Sequence, residues 1–483
     1  MIQLRGVLVA ASAALIASGC AVGPNYKRPP FHTSAAYKEQ DGWKPSEPAD
    51  ALARGPWWSI FHDDELDRLE SRVILSNENI KAAAAAVQEA RALVIQAQAS
   101  FWPTLSVSTS MDRTSGGGGA GFVIPGGTGG AAFAASAGNR TFYSAGASLD
   151  WGLDIWGQVR RNVESARATA QSTVAALAAA QLSAQAQLAT DYFQMRAQDQ
   201  LQILLTDIVA ADQRALNIAQ ARYKVGVAYK ADIVTAQTQL LSAQAQQVNS
   251  GIQRATLEHA IAVLVGAQPA ELSLQPASLT ANVPTVPPGV PSMLLERRPD
   301  IAEAERSMAA ANAKIGVAIS SFFPSLTITG SDTYQGSVFD KLIRASNRVW
   351  SFGPSLAETL FNGGSRWAQV LDTRAAYQAS VHDYRQTVLA GLQQVEDELV
   401  TLRVLEKQAV LEDQLVKASR EAETLTLNQY KAGTVPYSSV IAAQTTRLTS
   451  EETALSVQLN RLTASVALID SLGGGWDASQ LKR

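Results

Sequence analysis

Apolar residues follow two periods along this chain, and the periods divide it into helical and extended segments. Between Gly157 and Gly226 there is no proline, and apolar positions recur at coiled-coil spacing. These positions are Leu201, Leu204, Ile208, Ala211, Ala215 and Ile218, and the same spacing returns at Leu392, Val395, Leu399 and Leu402. At 1.5 Å per residue, each such helix would be on the order of 100 Å long.

The helical pattern occurs twice because the chain contains an internal repeat. Residues 101–105 read FWPTL and residues 322–326 read FFPSL, while residues 222–226 read RYKVG and residues 429–433 read QYKAG. Gly226 and Gly433 suit helix C-termini, where glycine adopts the left-handed conformation. A second helical pattern runs for about 40 residues after each glycine. We therefore predict two αα-hairpins with tips near Gly226 and Gly433.

Alternation of apolar and polar residues follows each aromatic-proline motif and predicts β-strands. The strands cover about 104–114 and 141–151 in the first copy, and about 325–334 and 348–360 in the second. Segments of this length are long enough to cross a bilayer with tilt. Residues 115–140 contain ten glycines and predict a long loop that is inserted in the first copy only.

Aromatic residues gather where the predicted strands meet the helices. They are Phe101, Trp102, Trp151 and Trp156 in the first copy and Phe322, Phe323 and Phe361 in the second. Such residues either pack at a sheet edge or form an aromatic girdle at a membrane interface. Their position at equivalent ends of both copies favours the girdle.

Four strands cannot close a barrel, and an open sheet edge in lipid leaves backbone groups unpaired. Single-chain barrels of this kind begin at eight strands. At least two chains must therefore contribute, and three chains would give twelve strands. The sequence pattern alone does not choose between a dimer and a trimer.

Composition excludes several other classes of protein. The chain has 483 residues, of which 46% are hydrophobic and only 7% aromatic, and its formal charge is −3, so nothing marks it as a nucleic-acid binder. The four histidines are scattered, and no zinc-protease, nucleophile-elbow or phosphate-loop motif occurs. We predict no enzyme activity, no cofactor and no metal site. Residues 168–190 are uncharged but too polar for a membrane-spanning helix.

The N-terminus has the layout of a bacterial export signal. Arg5 precedes an apolar run from Val7 to Ala17, and the single cysteine of the chain, Cys20, follows Ser18-Gly19. Residues 15–20 (LIASGC) resemble a lipoprotein processing box, which predicts lipidation of Cys20. The alternative is an ordinary signal peptide with an incidental cysteine.

Four stretches in a fixed order resemble one known family. They are residues 20–29 (CAVGPNYKRP), 57–63 (WWSIFHD), 297–301 (RRPDI) and 322–324 (FFP). They are similar to the TolC-type outer-membrane efflux channels, in particular the lipoprotein branch that serves resistance-nodulation-division (RND) pumps. The resemblance covers essentially the whole mature chain. It implies a mainly α fold with a membrane β-barrel, in which a homotrimer forms a twelve-strand β-barrel on a twelve-helix α-barrel.

The resemblance also implies a function and partners. The chain would be the outer-membrane exit duct of a tripartite efflux system, and its partners would be a periplasmic adaptor, an inner-membrane RND pump and, through acylated Cys20, outer-membrane lipid. In the family, the hairpin tips constrict the tunnel and dock the adaptor. Carried over by position, the tip residues are Arg222, Tyr223, Gly226, Asp232, Tyr430 and Gly433.

Asp232 has two open interpretations. It matches an acidic tip residue of some relatives, where it would contribute to the gate, and it is equally suited to a helix N-terminus. Where those relatives carry an arginine and two aspartates, this chain has Val435, Ser439 and Ala442. The charged latch implied by the family is therefore largely missing, and gating would depend more on packing.

These expectations divide the chain into six segments. We predict a signal peptide over 1–19, an equatorial segment over 20–62, a first repeat over 63–266, a Pro-rich equatorial linker over 267–298, a second repeat over 299–473 and a C-terminal tail over 474–483. Two alternative functions remain: the outer-membrane channel of a secretion system, and a lipid-anchored coiled-coil protein of the envelope. The second alternative does not account for the four strands.

Overall fold

The computed structural model describes residues 21–39, 56–115, 139–284 and 294–482. The predicted signal peptide, Cys20 and most of the glycine-rich segment 115–140 lie outside the described residues. Within the described ranges, no helix combines the length and the apolar character that crossing a membrane requires.

Long helices dominate the described part of the chain. They are α1 (Asp64–Ser76), α2 (Glu78–Ala99), α3 (Gln158–Lys224), α4 (Lys230–Leu264), the single turn α5 (Leu294–Arg297), α6 (Pro299–Ser320), α7 (Ser365–Ala432) and α8 (Tyr437–Ser471). The two outgoing arms, α3 and α7, have 67 and 68 residues, and the return arms α4 and α8 both have 35. The two copies therefore form helices of matching length.

Four strands form one antiparallel sheet. They are β1 (Thr104–Ser115), β2 (Asn139–Leu153), β3 (Ser325–Gly336) and β4 (Arg348–Ala357), hydrogen-bonded in that order. The sequence predicts that the fourth strand ends near residue 360, but β4 ends at Ala357. Ala357 pairs with Ser325, the first residue of β3, so the chain beyond Ala357 has no partner strand. Pro324, which has no backbone N–H, marks the end of this ladder.

The chain forms two compact units, and each draws on both sequence repeats. One unit comprises residues 1–27, 91–168 and 308–379 and contains the sheet. The other comprises residues 28–90, 169–307 and 380–483 and contains both helical hairpin tips. The six-segment division by sequence remains a prediction, because it follows the repeats and not these units.

In the helical unit, the two copies of the repeat make equivalent contacts at their helix junctions. Asn77 separates α1 from α2 in an extended conformation, and its side-chain amide donates to the carbonyl of Leu264 at the end of α4 (2.9 Å). Arg298 occupies the equivalent break between α5 and α6, and donates to the carbonyl of Ser471 at the end of α8 (2.8 Å). A side-chain donor thus satisfies the last carbonyls of the return helix in each copy.

A glycine completes each of these junctions. Gly266 and Gly473 have φ values of +66° and +92°, in the left-handed region that favours glycine. A Cβ added to Gly266 would overlap the carbonyl of Ser76, and one added to Gly473 would overlap the carbonyl of Arg297. Both positions therefore require glycine for conformation and for space.

We predict that Gly473→Ala destabilises the helical unit. The substitution places a side chain at φ +92° and forces the carbonyl of Arg297 to move, at a cost of at least about 1–2 kcal/mol. The measurement is the temperature at which detergent-solubilised protein loses its helical circular dichroism. Gly251→Ala is the matched control, because Gly251 lies inside α4 with open space around its Cβ position. An unchanged melting temperature for Gly473→Ala would contradict the assignment.

Candidate functional site

The sheet presents two chemically different faces. Its register aligns Leu105 with Leu149, Leu149 with Gly330, and Gly330 with Phe352 across the four strands. This apolar face also carries Val107, Met111, Tyr143, Trp151, Leu326, Ile328, Trp350 and Leu356. The opposite face, offset by one residue, carries mainly serine and threonine.

A row of four serines crosses this hydroxyl-rich face. Ser106, Ser148, Ser331 and Ser351 are aligned on successive strands. The hydroxyls of Ser106 and Ser148 lie 2.7 Å apart, and those of Ser331 and Ser351 lie 2.9 Å apart. Small, mutually hydrogen-bonded hydroxyls make this face polar without making it charged.

Charges on the sheet are few and are arranged by face. The charged side chains described on the hydroxyl face are those of Asp112 and Asp150. On the apolar face, Arg348 donates two hydrogen bonds to the carboxylate of Asp332, at 2.8 and 2.7 Å. This pair is neutralised, and the apolar face also carries Arg113 on β1.

The predicted aromatic residues all belong to the unit that contains the sheet. The indole of Trp151 donates to the carbonyl of Phe101 (2.9 Å), and that of Trp156 donates to the carbonyl of Pro324 (2.8 Å). Trp156 also stacks on Phe323, with centroids 4.7 Å apart. These bonds tie the first-copy aromatic residues to the start of both strand hairpins.

The other predicted aromatic residues are directed outward. Phe361 is 88% exposed and Trp102 is 74% exposed, and Phe322 is close to half exposed. Exposed aromatic side chains beside a two-faced sheet match the composition of an interfacial girdle.

Residues directly after Cys20 bind this same unit. The backbone N–H of Val22 donates to the carbonyl of Trp156 (3.0 Å). The guanidinium of Arg161 donates to the carbonyls of Val22 and Gly23, at 3.1 Å each, and to the side chain of Asn25 at 2.8 Å. Arg161 is buried, and the carboxylate of Glu164 (2.7 Å) together with these carbonyls satisfies a cation that has little access to water.

Both hairpin tips end in the same backbone motif. Gly226 and Gly433 have φ values of +76° and +81°. The N–H of Gly226 bonds to the carbonyl of Tyr223, and the next N–H, of Val227, bonds to the carbonyl of Arg222. Gly433 and Thr434 repeat this arrangement at the end of α7. These are Schellman motifs, as the sequence pattern predicts.

Arg222, Tyr430 and Gly433 come together at the tips. Arg222 Nη1 donates to the carbonyls of Tyr430 (2.5 Å) and Lys431 (3.2 Å), and its guanidinium lies 4.8 Å from the centre of the Tyr430 ring. A Cβ added to Gly433 would lie 3.6 Å from Arg222 Nη2. Tyr223 is half exposed.

Tyr437 is a tip residue that the sequence interpretation missed. Its ring lies 5.3 Å from that of Tyr430, and both are buried with Ala219, Ala236 and other apolar residues of the four arms. Burial raises the pKa of Tyr437 to about 12. The seven-residue spacing of the two tyrosines across the Gly433 turn is the signal that would have identified this pair.

Asp232 is engaged within its own helix. Its carboxylate accepts a hydrogen bond from the backbone N–H of Tyr229 at the start of α4 (3.2 Å). This contact agrees with the helix N-terminus interpretation. The sole bond described for the side chain is therefore local, and the gate role for Asp232 remains a prediction.

A buried carboxylate lies between three arms near the tips. Asp212 on α3 is 1% exposed, and its Oδ2 has no hydrogen-bond partner. Burial raises the pKa of Asp212 to about 6; the carboxylate of Glu423 on α7 adds to the rise, and the guanidinium of Arg447 on α8 opposes it. Arg447 is already paired with Glu423 (2.5 Å) and Glu451 (2.8 Å).

Within the described ranges, no three His, Cys, Asp or Glu side chains are grouped so as to hold a metal ion.

Comparison with known proteins gives one family. The model of the outer membrane efflux protein family matches residues 69–267 and 290–474, which include both helical hairpins and all four strands.

Similar proteins match the chain over nearly its full length. The toluene efflux pump outer membrane protein TtgC of Pseudomonas putida is 28% identical over 98% of this chain and 96% of its own length. The cation efflux system protein CusC of Escherichia coli is 27% identical over 96% of this chain and 97% of its own. A solved structure of the outer-membrane channel OprN is 27% identical, has a TM-score of 0.84, and covers 95% of this chain and all of its own. The expected channel fold is thereby confirmed.

We predict that Asp212 makes the packing of the hairpins sensitive to pH. Its folded pKa of about 6 exceeds the ordinary value of 3.8, so the protonated form stabilises the fold. This contribution is complete below 3.8 and is lost as the pH rises through about 6. Wild-type thermal stability in detergent should fall over that interval, and Asp212→Asn should make the fall smaller.

Asp207→Asn is the matched control for Asp212→Asn. Asp207 lies on the same helix but is exposed, so its replacement should leave the pH profile of stability unchanged. If Asp212→Asn retains the wild-type profile, Asp212 is not the responsible group.

Proposed function

Because the chain belongs to the outer membrane efflux protein family, we propose that it is the exit duct of a tripartite efflux system. The protein is an outer-membrane efflux component and not an enzyme. In the proposed system, a periplasmic adaptor and an inner-membrane RND pump deliver small molecules, which pass through the duct by diffusion.

One observation carries the proposal that this chain forms a water-filled passage: the sheet has an apolar face and a hydroxyl face. Transmembrane β-barrels alternate lipid-facing apolar residues with lumen-facing polar residues. In the proposed channel, Leu149 and Phe352 face lipid, while the serine row that contains Ser148 and Ser331 faces the lumen. A hydroxyl-lined wall is wetted, and the fixed charges described on it are those of the two carboxylates Asp112 and Asp150.

The oligomer follows from the edges of the sheet. β1 and β4 are the outer strands of the four-strand order. In lipid, their unpaired backbone groups would cost several kcal/mol each, so strands of other copies must pair with them. Three copies would give twelve strands, in agreement with the homotrimer of the TolC-type family.

Lipidation of Cys20 would anchor the duct at the level of the aromatic residues. Cys20 is one residue from Ala21, and a Cβ added to Gly157 would lie 2.7 Å from the Cα of Ala21. Trp156, which precedes Gly157, stacks on Phe323. An acyl chain on Cys20 would therefore enter the bilayer beside residues that favour the membrane interface.

The hairpin tips are the proposed docking region for the adaptor. Val225, Val227 and Tyr229 at the first tip are exposed; Tyr229 is 81% exposed. Apolar residues presented together at a helix turn favour contact with another protein. Arg222, Tyr223, Gly226, Asp232, Tyr430 and Gly433 complete the proposed region.

In the proposed system, the duct does not determine which substrate is exported. TtgC is named for toluene and CusC for cations, although both are similarly related to this chain. We therefore assign the cargo only as small molecules selected by the pump.

We predict that two adjacent substitutions on β2 have opposite consequences. Leu149→Arg places a charge toward lipid, which costs about 2–4 kcal/mol per chain at mid-bilayer, so it should abolish insertion and oligomer formation. Ser148→Arg places the same charge in the lumen and should still assemble. Its single-channel currents in planar bilayers should shift toward anion preference.

Purified wild-type protein should conduct in the same bilayers and show the mass of three chains by light scattering. Equal behaviour of Leu149→Arg and Ser148→Arg would contradict the two-faced barrel. A wild-type protein that neither conducts nor oligomerises would overturn the exit-duct proposal.

We predict that Cys20→Ser abolishes metabolic labelling with a radioactive fatty acid, because serine offers no thiol for the lipid. Oligomers should still form, since the barrel provides most of the membrane contact. Labelling of the Cys20→Ser protein would refute the processing site.

A further inference from the structure

Arg222 joins the two hairpins of one chain at their tips. It lies in the last turn of α3 and reaches the last turn of α7, 208 positions away in sequence. Its guanidinium contacts two carbonyls and an aromatic ring, and none of these groups carries a charge.

The carbonyls that Arg222 contacts are those that a helix end leaves unsatisfied. The last four carbonyls of an α-helix lack intrahelical partners. At α7, the Schellman motif uses the carbonyls of Gln429 and Tyr430, and Arg222 adds donors to those of Tyr430 and Lys431. Arg222 thus acts as a C-terminal cap supplied by another helix, and its cation also favours the negative end of the α7 dipole.

The Tyr430 ring fixes the guanidinium from a second side. The 4.8 Å separation of the guanidinium carbon from the ring centre lies within the range of cation–π attraction. Arg222 Nε is enclosed and has no hydrogen-bond partner. An enclosed N–H without a partner is destabilising, and the other contacts of the guanidinium offset this cost.

The contact has no counterpart in the second copy. The residue equivalent to Arg222 is Gln429, whose carbonyl is used within its own Schellman motif. At this contact, α3 therefore supplies the donor and α7 supplies the acceptors. It also lies where the charged latch of the family is largely missing, at Val435, Ser439 and Ala442.

We propose that Arg222 is the positioning residue that holds the tunnel entrance of this duct in its resting state, through a neutral-acceptor clasp formed by the carbonyls of Tyr430 and Lys431 and by the Tyr430 ring. The clasp closes within one chain, so each copy sets the spacing of its own two hairpins. This inference rests on the exit-duct function for its effect on conduction, but the clasp itself is a property of the single chain.

The test compares five variants with wild-type protein in planar bilayers. Arg222→Gln removes the charge and the guanidinium fork, and should raise the open probability of the resting channel about tenfold, which corresponds to about 1.4 kcal/mol. Tyr430→Leu removes the ring and should act in the same direction. Arg222→Lys keeps the charge without the fork and should give an intermediate value.

Tyr430→Phe is expected to behave as wild type, because the Tyr430 hydroxyl has no hydrogen-bond partner and the ring is retained. Lys224→Gln is the matched control for charge, since it removes a cation from the exposed end of the same helix. Wild-type conductance in Arg222→Gln, or an equal rise in Lys224→Gln, would overturn the clasp.

Hydrogen–deuterium exchange separates failure of the clasp from failure of the exit-duct function. In Arg222→Gln, the amides around Gly433 and Thr434 should exchange faster than in wild type, whether or not the protein conducts. Unchanged exchange at these amides would overturn the clasp. A wild-type protein without conductance, combined with faster exchange in Arg222→Gln, would overturn the exit duct and leave the clasp supported.

Discussion

Backbone hydrogen bonding at the edges of the sheet is the constraint on which the rest of this structure depends. β1 and β4 each have one side without a partner strand among the described residues. Lipid cannot supply hydrogen bonds, so in the proposed duct strands of other copies would continue the sheet at both edges. In the proposed closed barrel, the two faces of the sheet have different surroundings. In that barrel, the alternation places Leu149 toward lipid and Ser148 toward the water-filled lumen.

The internal repeat accounts for the matching helices and helix junctions of the two copies. The two copies differ at the hairpin tips. Asn77 and Arg298 differ in chemistry, yet both interrupt a helix and donate to the end of the return arm. At the tips the two copies are not equivalent. The side chain of Arg222 donates to a carbonyl at the end of α7, whereas the equivalent residue Gln429 makes no such contact with α3. At the tips, one half of the duplicated chain thus supplies a contact that the other half does not.

Local patterns in the sequence were sufficient for the helices, the strands and the hairpin tips, because strand alternation and the glycine at each helix end are set by neighbouring residues. The channel fold itself was implied by the resemblance to the family. The break at Asn77 was not expected, since no proline marks it as Pro299 marks the break in the second copy. The end of β4 at Ala357 depends on where its partner β3 begins. The pairing of Arg222 with Tyr430 and the burial of Asp212 involve residues far apart in sequence, so no local pattern could indicate them.

A clasp with neutral acceptors differs physically from an ion-pair latch. Carbonyl dipoles and an aromatic quadrupole attract a cation only at short range, and neither acceptor titrates near neutral pH. Salt and protonation therefore have little influence on such a clasp, whereas a small displacement breaks it. Arg222 lies less than one helical turn before Val225, an exposed residue of the first tip. In the proposed duct, a partner that binds Val225 and shifts the end of α3 would thus act on the clasp directly.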